Sequence, residues 1–296
     1  MLRSTLLHLR IPFSYFLLPI FIFSLAISPN VTMTTLAWSF FIIHFLLYPA
    51  SNAYNSYFDK DEKSIGGLKN PPPVNKSLYY TALVFDLLAV TLGYLKINLT
   101  FAIMLLIYGL VSKAYSHPSI RLKKYAVTSW LITGVFQGLF SFVMCYIGIN
   151  DYDLASSWKP MVIYAGLLTT VMLWANYPMT QIYQHEEDTK HGDRTLSIIL
   201  GIRGTFLFTG LLFAFVTPAF FLYFVKFFQI KYAWAFLLAL LPVIIYFAYW
   251  FISVRRDLKN AAYAQTMWLN VISATCLSAF FIYLFLDSTQ ILQAFQ

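Results

Sequence analysis

Charge is what this sequence has least of. Only 11% of its 296 residues are Asp, Glu, Lys or Arg, against about 25% in soluble domains. That shortage excludes a soluble domain built around one large core. Cysteine is scarce too. Cys145 and Cys276 both fall inside apolar runs, which excludes a disulfide framework or a zinc site and leaves two small packing residues. Strict polar/apolar alternation is missing, so there is no β-barrel signal. A cleavable leader is not expected either. Ala26-Ile27-Ser28 loosely imitates a small-x-small cleavage site, but the preceding apolar run is too long for one and is interrupted by Pro12 and Pro19. There is no clear transit peptide.

What is present is oil, in blocks. Hydrophobic residues make up 59% of the chain. Nine blocks approach the length of about 20 residues that a helix needs to cross a hydrocarbon core of roughly 30 Å. They are 11–28, 34–51, 77–96, 98–115, 126–148, 159–180, 204–225, 232–253 and 266–286. Only helices satisfy their own backbone in lipid, so the expected fold is an all-α membrane bundle of nine transmembrane helices forming a single domain. With the N-terminus in the cytoplasm, sixteen of the twenty Lys and Arg residues fall inside, and only Lys96, Lys159, Lys226 and Lys231 fall outside. The net charge of +8 then reflects topology and attraction to anionic lipid, and gives no reason to expect a nucleic-acid partner. The polar chemistry collects in inner loops, at 52–76, 112–125 and 181–203, so any site is expected to open toward the cytoplasm.

Two stretches stand out in those loops. YPASNAYNSYFDKDEKSIGG (48–67) and YPMTQIYQHEEDTKHGDRT (177–195) superpose without a gap. Tyr48-Pro49 matches Tyr177-Pro178, Asn52 matches Gln181, Tyr54 matches Tyr183, Asn55 matches Gln184, and Asp59 matches Asp188. This is a degenerate internal repeat placing two equivalent polar helix ends in one bundle. If each helix continues, Asn52, Asn55, Asp59 and Glu62 form one stripe, with Lys63 at its edge and Asp61 pointing away. Gln181, Gln184, His185 and Asp188 form the other, extended by His191. Facing carboxylate and amide oxygens are hard ligands suited to Mg²⁺, an ion often shared between protein carboxylates and a substrate phosphate. Lys63, Lys69, Lys113, Arg121, Lys123, Lys124, Lys190 and Arg194 are available for the remaining phosphate charge. A cation-bridged diphosphate with a greasy tail fits this pattern. The bland reading is a pair of solvated helix ends with topogenic lysines.

Over nearly its whole length the chain resembles the UbiA superfamily of intramembrane prenyltransferases. The family's first motif, N-D-x-x-D-x-x-x-D, is matched by Asn55 to Lys63, and its second, D-x-x-x-D, by Gln184 to Asp188. Gly192, Arg194-Thr195-Leu196 and Gly201 continue the second pattern, and YSHPSIRLKK (115–124) resembles the family's loop between the fourth and fifth spans. Ser56, Lys63 and Gln184 stand where the family has acids, and Lys69-Asn70-Pro71 stands near its usual Arg-Pro.

The resemblance implies a Mg²⁺-dependent transfer of an isoprenyl group from an isoprenyl diphosphate to a hydrophobic, quinone-precursor-like or other lipid acceptor. It implies Asp59, Asp188, Asn55 and Gln184 as catalytic residues. Metal ligands are expected at Asp59, Asp188, Asn55 and Glu62, and diphosphate contacts at Lys63, Lys69, Lys113, Tyr115, Lys123, Lys124 and Arg194. With fewer acids than the family, the site is expected to bind metal more weakly or to lean on Lys63, Lys123 and Lys124. A terpene cyclase of the same superfamily and a non-catalytic lipid-binding or transport relative remain open. Asp86, mid-span, is read as functional or as hydrogen-bonded to a neighbouring helix. The expected location is a multi-pass protein of a bacterial cell (inner) membrane.

Overall fold

The computed structural model describes residues 2–289. Among them there is no strand, only two isolated backbone bridges, Ile65 with Leu68 and Tyr125 with Arg194. Eight helices are long and apolar enough to cross a membrane. They are α1 (Leu2–Ala26), α2 (Met33–Asp59), α3 (Lys76–Lys96), α4 (Leu99–Ser116), α5 (Ala126–Asn150), α8 (Leu196–Phe227), α9 (Ile230–Arg256) and α10 (Tyr263–Ser288). Between them lie α6 (Pro160–Asn176), an apolar helix of 17 residues, and the short α7 (His185–Lys190). The chain is an integral, multi-pass membrane protein.

Apart from the short α7, consecutive helices are neighbours, with α6 packing directly on α8, and α10 closes back onto α1, which also packs on α5. The centre of that packing is aromatic. Phe23 stacks on Phe281 with ring centroids 4.2 Å apart and meets Phe142 edge-on. All ten residues of Ser141–Asn150 are buried, as a helix that is apolar all round should be. Helices α5 and α6 approach most closely where glycine allows it. A Cβ on Gly138 would lie 2.7 Å from the Thr170 backbone nitrogen.

The echoing Tyr-Pro pairs coincide with backbone irregularities. A π-turn, Ile42–Leu47, precedes Tyr48, and a 3₁₀ turn, Tyr177–Thr180, ends the run of α6. Proline lacks the N–H that would bond four residues back. At Pro178 the carbonyl released is that of Trp174, and the Trp130 indole N–H takes it at 2.8 Å. The four lysines assigned to the outer side each lie over an aromatic ring. These pairs are Lys96 over Trp38, Lys159 over Tyr152, Lys226 over Tyr164 and Lys231 over Tyr232. Such pairs suit the membrane interface, where a ring is half in oil and a cation reaches water.

Candidate active site

Three chain segments meet at the end of the bundle opposite those lysines. The last two turns of α2 bring Asn52, Asn55 and Asp59. The helix stops there because Lys60 turns left-handed, with φ 53°, and its N–H closes on the Ser56 carbonyl at 3.0 Å. The segment following α4 brings Lys123, and the segment around α7 brings Gln184, Asp188 and Asp193. Together they line a cavity of about 240 Å³.

One wall is an ion network. Lys123 Nζ lies 2.6 Å from Asp59 Oδ1 and 3.1 Å from Asp193 Oδ2. Arg121 grips Asp193 with two N–H groups, Nε at 2.8 Å and an Nη at 2.9 Å. Its other terminal nitrogen approaches Asp59 at 3.7 Å. Asn55 donates to Asp59 Oδ2 at 2.7 Å and to Ser116 Oγ at 3.0 Å, leaving its carbonyl oxygen uncommitted. Burial pulls the Lys123 pKa down, but Asp59 and Asp193 more than reverse this and hold it above the ordinary lysine value.

Beside this network lie carboxylates with no cation in hydrogen-bond contact. Asp188 Oδ2 is buried without a partner. Burial pushes the Asp188 pKa up to about 7; Lys123 pulls it back, while Asp193, Asp61 and Asp59 add to the rise. Asp61 is pushed up to about 6 by burial and by Asp59. Asp61, Glu187 and His191 each offer one ligand atom within 4.8 Å of the others. Buried Gln181 adds an unpartnered carbonyl oxygen to the same cavity. Arg10 completes the rim. It is left-handed (φ 46°) and 8% exposed, and its guanidinium donates to the carbonyls of Asn52 and Gly66 at 3.0 and 3.1 Å. Below the charges the lining becomes aromatic and aliphatic, with Tyr108, Ile132, Phe136 and the hydrogen-bonded hydroxyls of Tyr115 and Tyr177.

The cavity has a charged mouth over an apolar floor and is built from two echoing helix ends; the sequence profile of the UbiA prenyltransferase family matches residues 16–272. The chain belongs to the UbiA prenyltransferase family. Solved structures share its fold. A UbiA homologue from Archaeoglobus fulgidus bound to DMAPP and Mg²⁺ has a TM-score of 0.66 at 16% identity, covering 95% of this chain and 99% of its own. The homologue from that organism bound to GPP and Mg²⁺ has a TM-score of 0.65 at 17% identity, with the same coverage. A structure of digeranylgeranylglyceryl phosphate synthase has a TM-score of 0.62 at 20% identity, covering 96% and 98%. No curated protein sequence matches the chain.

Of the residues the UbiA pattern singles out, Asp59, Asp188, Asn55, Gln184, Tyr115 and Lys123 line the cavity. Six others do not. Glu62 and Lys63 lie beyond the end of α2 rather than on a continued stripe; both are exposed, paired with Lys190 at 3.1 Å and Glu186 at 2.5 Å respectively. Lys69 is an exposed loop residue whose carbonyl accepts from Ser64. Lys113 turns toward α3, where it pairs with Asp86 and lies over the Tyr54 ring. That ion pair also accounts for the mid-span acid. Lys124 and Arg194 are exposed, and they join the two loops through Arg194 N–H and the Lys124 carbonyl at 3.3 Å. The second stripe is likewise interrupted, because the 3₁₀ turn and the turn after it separate Gln181 from α7. His185 turns away to Ser197 at 2.7 Å.

Three charged lining residues escaped the sequence reading as site residues, namely Asp61, Asp193 and Arg10. One signal was available for the acids. Seven of the chain's twelve Asp and Glu residues fall within 59–62 and 186–193.

Proposed function

We propose that the protein is a Mg²⁺-dependent intramembrane prenyltransferase that takes an isoprenyl diphosphate and passes its prenyl group to a hydrophobic acceptor. One observation carries this reading: Asp59, Asp188 and Lys123, from three separate segments, line a single cavity whose floor is aromatic.

The donor set suits a hard divalent cation. Asp188 Oδ2 and Gln181 Oε1 are buried acceptors without partners. The Asn55 carbonyl is free of protein donors, and Asp61 offers a second carboxylate. We assign cation holding to Asp188, Asp61 and Asn55, with Asp59 shared between the ion and Lys123. A bound ion would supply Lewis acidity to the departing pyrophosphate. Lys123 and Arg10 would face the phosphoryl oxygens as fixed positive charges, and their field is strengthened because both side chains are themselves largely buried. Tyr108, Phe136 and the Tyr115–Tyr177 pair would present ring faces to the allylic cation, stabilising it without capturing it. An acceptor nucleophile then forms the new bond to carbon, and its proton leaves with solvent or pyrophosphate.

We further propose that the site opens to the cytoplasm of a bacterial cell, with the N-terminus on the same side. The test is pyrophosphate release from isoprenyl diphosphates by purified protein in lipid, with and without Mg²⁺. Asp59→Asn and Asp188→Asn should each lower turnover by about a hundredfold or more, the scale of losing one electrostatic contact to a leaving group. Near-normal rates in both variants would sink the assignment. Product mass separates transfer from cyclisation, and no release from any isoprenyl diphosphate would favour a non-catalytic lipid-binding relative.

A further inference from the structure

Lys123 is held by two acids, and only one of them belongs to the family motifs. Asp59 lies in the first motif; Asp193, 4% exposed and lining the cavity, lies outside both. Asp193 is also the better anchored of the pair. Its own N–H bonds the Asp188 carbonyl at 2.9 Å, and the next residue is tied to Lys124. Its carboxylate takes the two-pronged grip of Arg121 and the Lys123 ammonium together. Arg121 adopts a left-handed backbone, φ 44°, at the start of the turn Leu122–Lys124, a conformation that is strained for a non-glycine residue. The chain tolerates that strain where it directs Arg121 and Lys123 onto the same carboxylate.

A divalent cation and an ammonium cannot both occupy Asp59 Oδ1, because like charges at contact distance repel. When metal engages Asp59, Lys123 must give way, and a cation released from its only partner would leave the cavity wall. We propose that Asp193 is a positioning residue that retains Lys123, backed by Arg121, at the cavity wall while Asp59 is engaged by metal. This rests on the metal-site reading above. Without the Asp193 charge, Lys123 would settle on Asp59 and compete with the metal for it.

Mn²⁺ serves as the probe, its free concentration followed by electron paramagnetic resonance on purified full-length protein with no substrate present. Asp193→Asn should weaken Mn²⁺ binding about tenfold in the wild-type background. In a Lys123→Met background the same substitution should weaken it less than twofold, because the competitor is gone. A simple loss of one negative charge from the cavity would instead lower affinity by the same factor in both backgrounds. Equal factors therefore overturn the proposal. Asp193→Glu should stay within about threefold of wild type and covers the case in which Asp193→Asn does not fold; a tenfold loss in it would also count against the proposal. With saturating Mn²⁺, Asp193→Asn should raise the KM for isoprenyl diphosphate more than it lowers kcat. A wild-type protein that binds no Mn²⁺ removes this inference together with the metal site. Absent pyrophosphate release with the binding arms as expected removes only the reaction.

Discussion

Asp188 sits where three other carboxylates already crowd the cavity, with its outer oxygen unpartnered and its pKa pushed up to about 7. Asp61 follows at about 6. Both start from 3.8 when unfolded. The folded state therefore holds these protons more tightly than the unfolded chain does. Raising the pH from about 4 to about 7 then removes protons that the fold prefers to keep, and stability falls across that window. Metal-free protein should melt at progressively lower temperature between these limits, and level off above. Asp188→Asn should flatten the upper part of that slope, and added Mg²⁺ should flatten all of it. A melting series in detergent with chelator checks this, and identical slopes in all three samples would refute it. Metal affinity should rise over the same range, since each carboxyl must lose its proton to bind.

At the scale of the element, the site depends on where helices stop. Asp59 and Asp188 were legible because each sits in a repeated pattern next to a Tyr-Pro pair, and Asn55 and Gln184 follow from the same register. Glu62 and Lys63 fall outside the cavity, whereas the stripe argument assumed that α2 continues. Lys60 turns left-handed instead, and the same turn sends Asp61 inward. Asp193 lay outside any periodic pattern, and its role depends on contacts with a loop some seventy residues earlier in the chain. Spacing encodes position within an element and says little about contacts between loops. Most apolar spans, by contrast, were legible to within a few residues. However, α1 and α8 begin and α2 ends well outside the apolar blocks, because polar residues continue those helices. Eight helices rather than nine reach membrane-crossing length, α6 having 17 residues. The α5–α6 contact is the element most exposed to a single change. The π-turn Phe136–Phe140 lets the Leu139 N–H bond Thr170 Oγ1 at 2.8 Å, and Gly138 lies against the Thr170 backbone. Gly138→Ala should therefore destabilise by about 1–3 kcal/mol, the usual cost of overpacking. An unchanged melting temperature would show that the helices separate freely there.

Across the whole molecule, charge is sorted by end. The site end gathers most of the acids and most of the basic residues, while the far end keeps four lysines, each seated over a ring. If the positive-inside rule governs this chain, a thiol at position 62 faces the cytoplasm and one at 288 faces the other side. In a Cys145→Ala/Cys276→Ala background, Glu62→Cys should react with an impermeant maleimide only in inverted vesicles, and Ser288→Cys only in intact spheroplasts. The opposite pattern would invert the topology.

The polar cavity is lined only by residues between Arg10 and Thr195. A second cavity, of about 80 Å³ and mostly apolar, draws instead on α1, α6 and the last three helices. During synthesis, then, every residue lining the charged chamber emerges from the ribosome before α8 does, and of the two chambers the last three helices line the apolar one. Drift in the residues of those helices that line the apolar chamber can remodel what the protein accommodates in the membrane without replacing any residue that lines the reactive end.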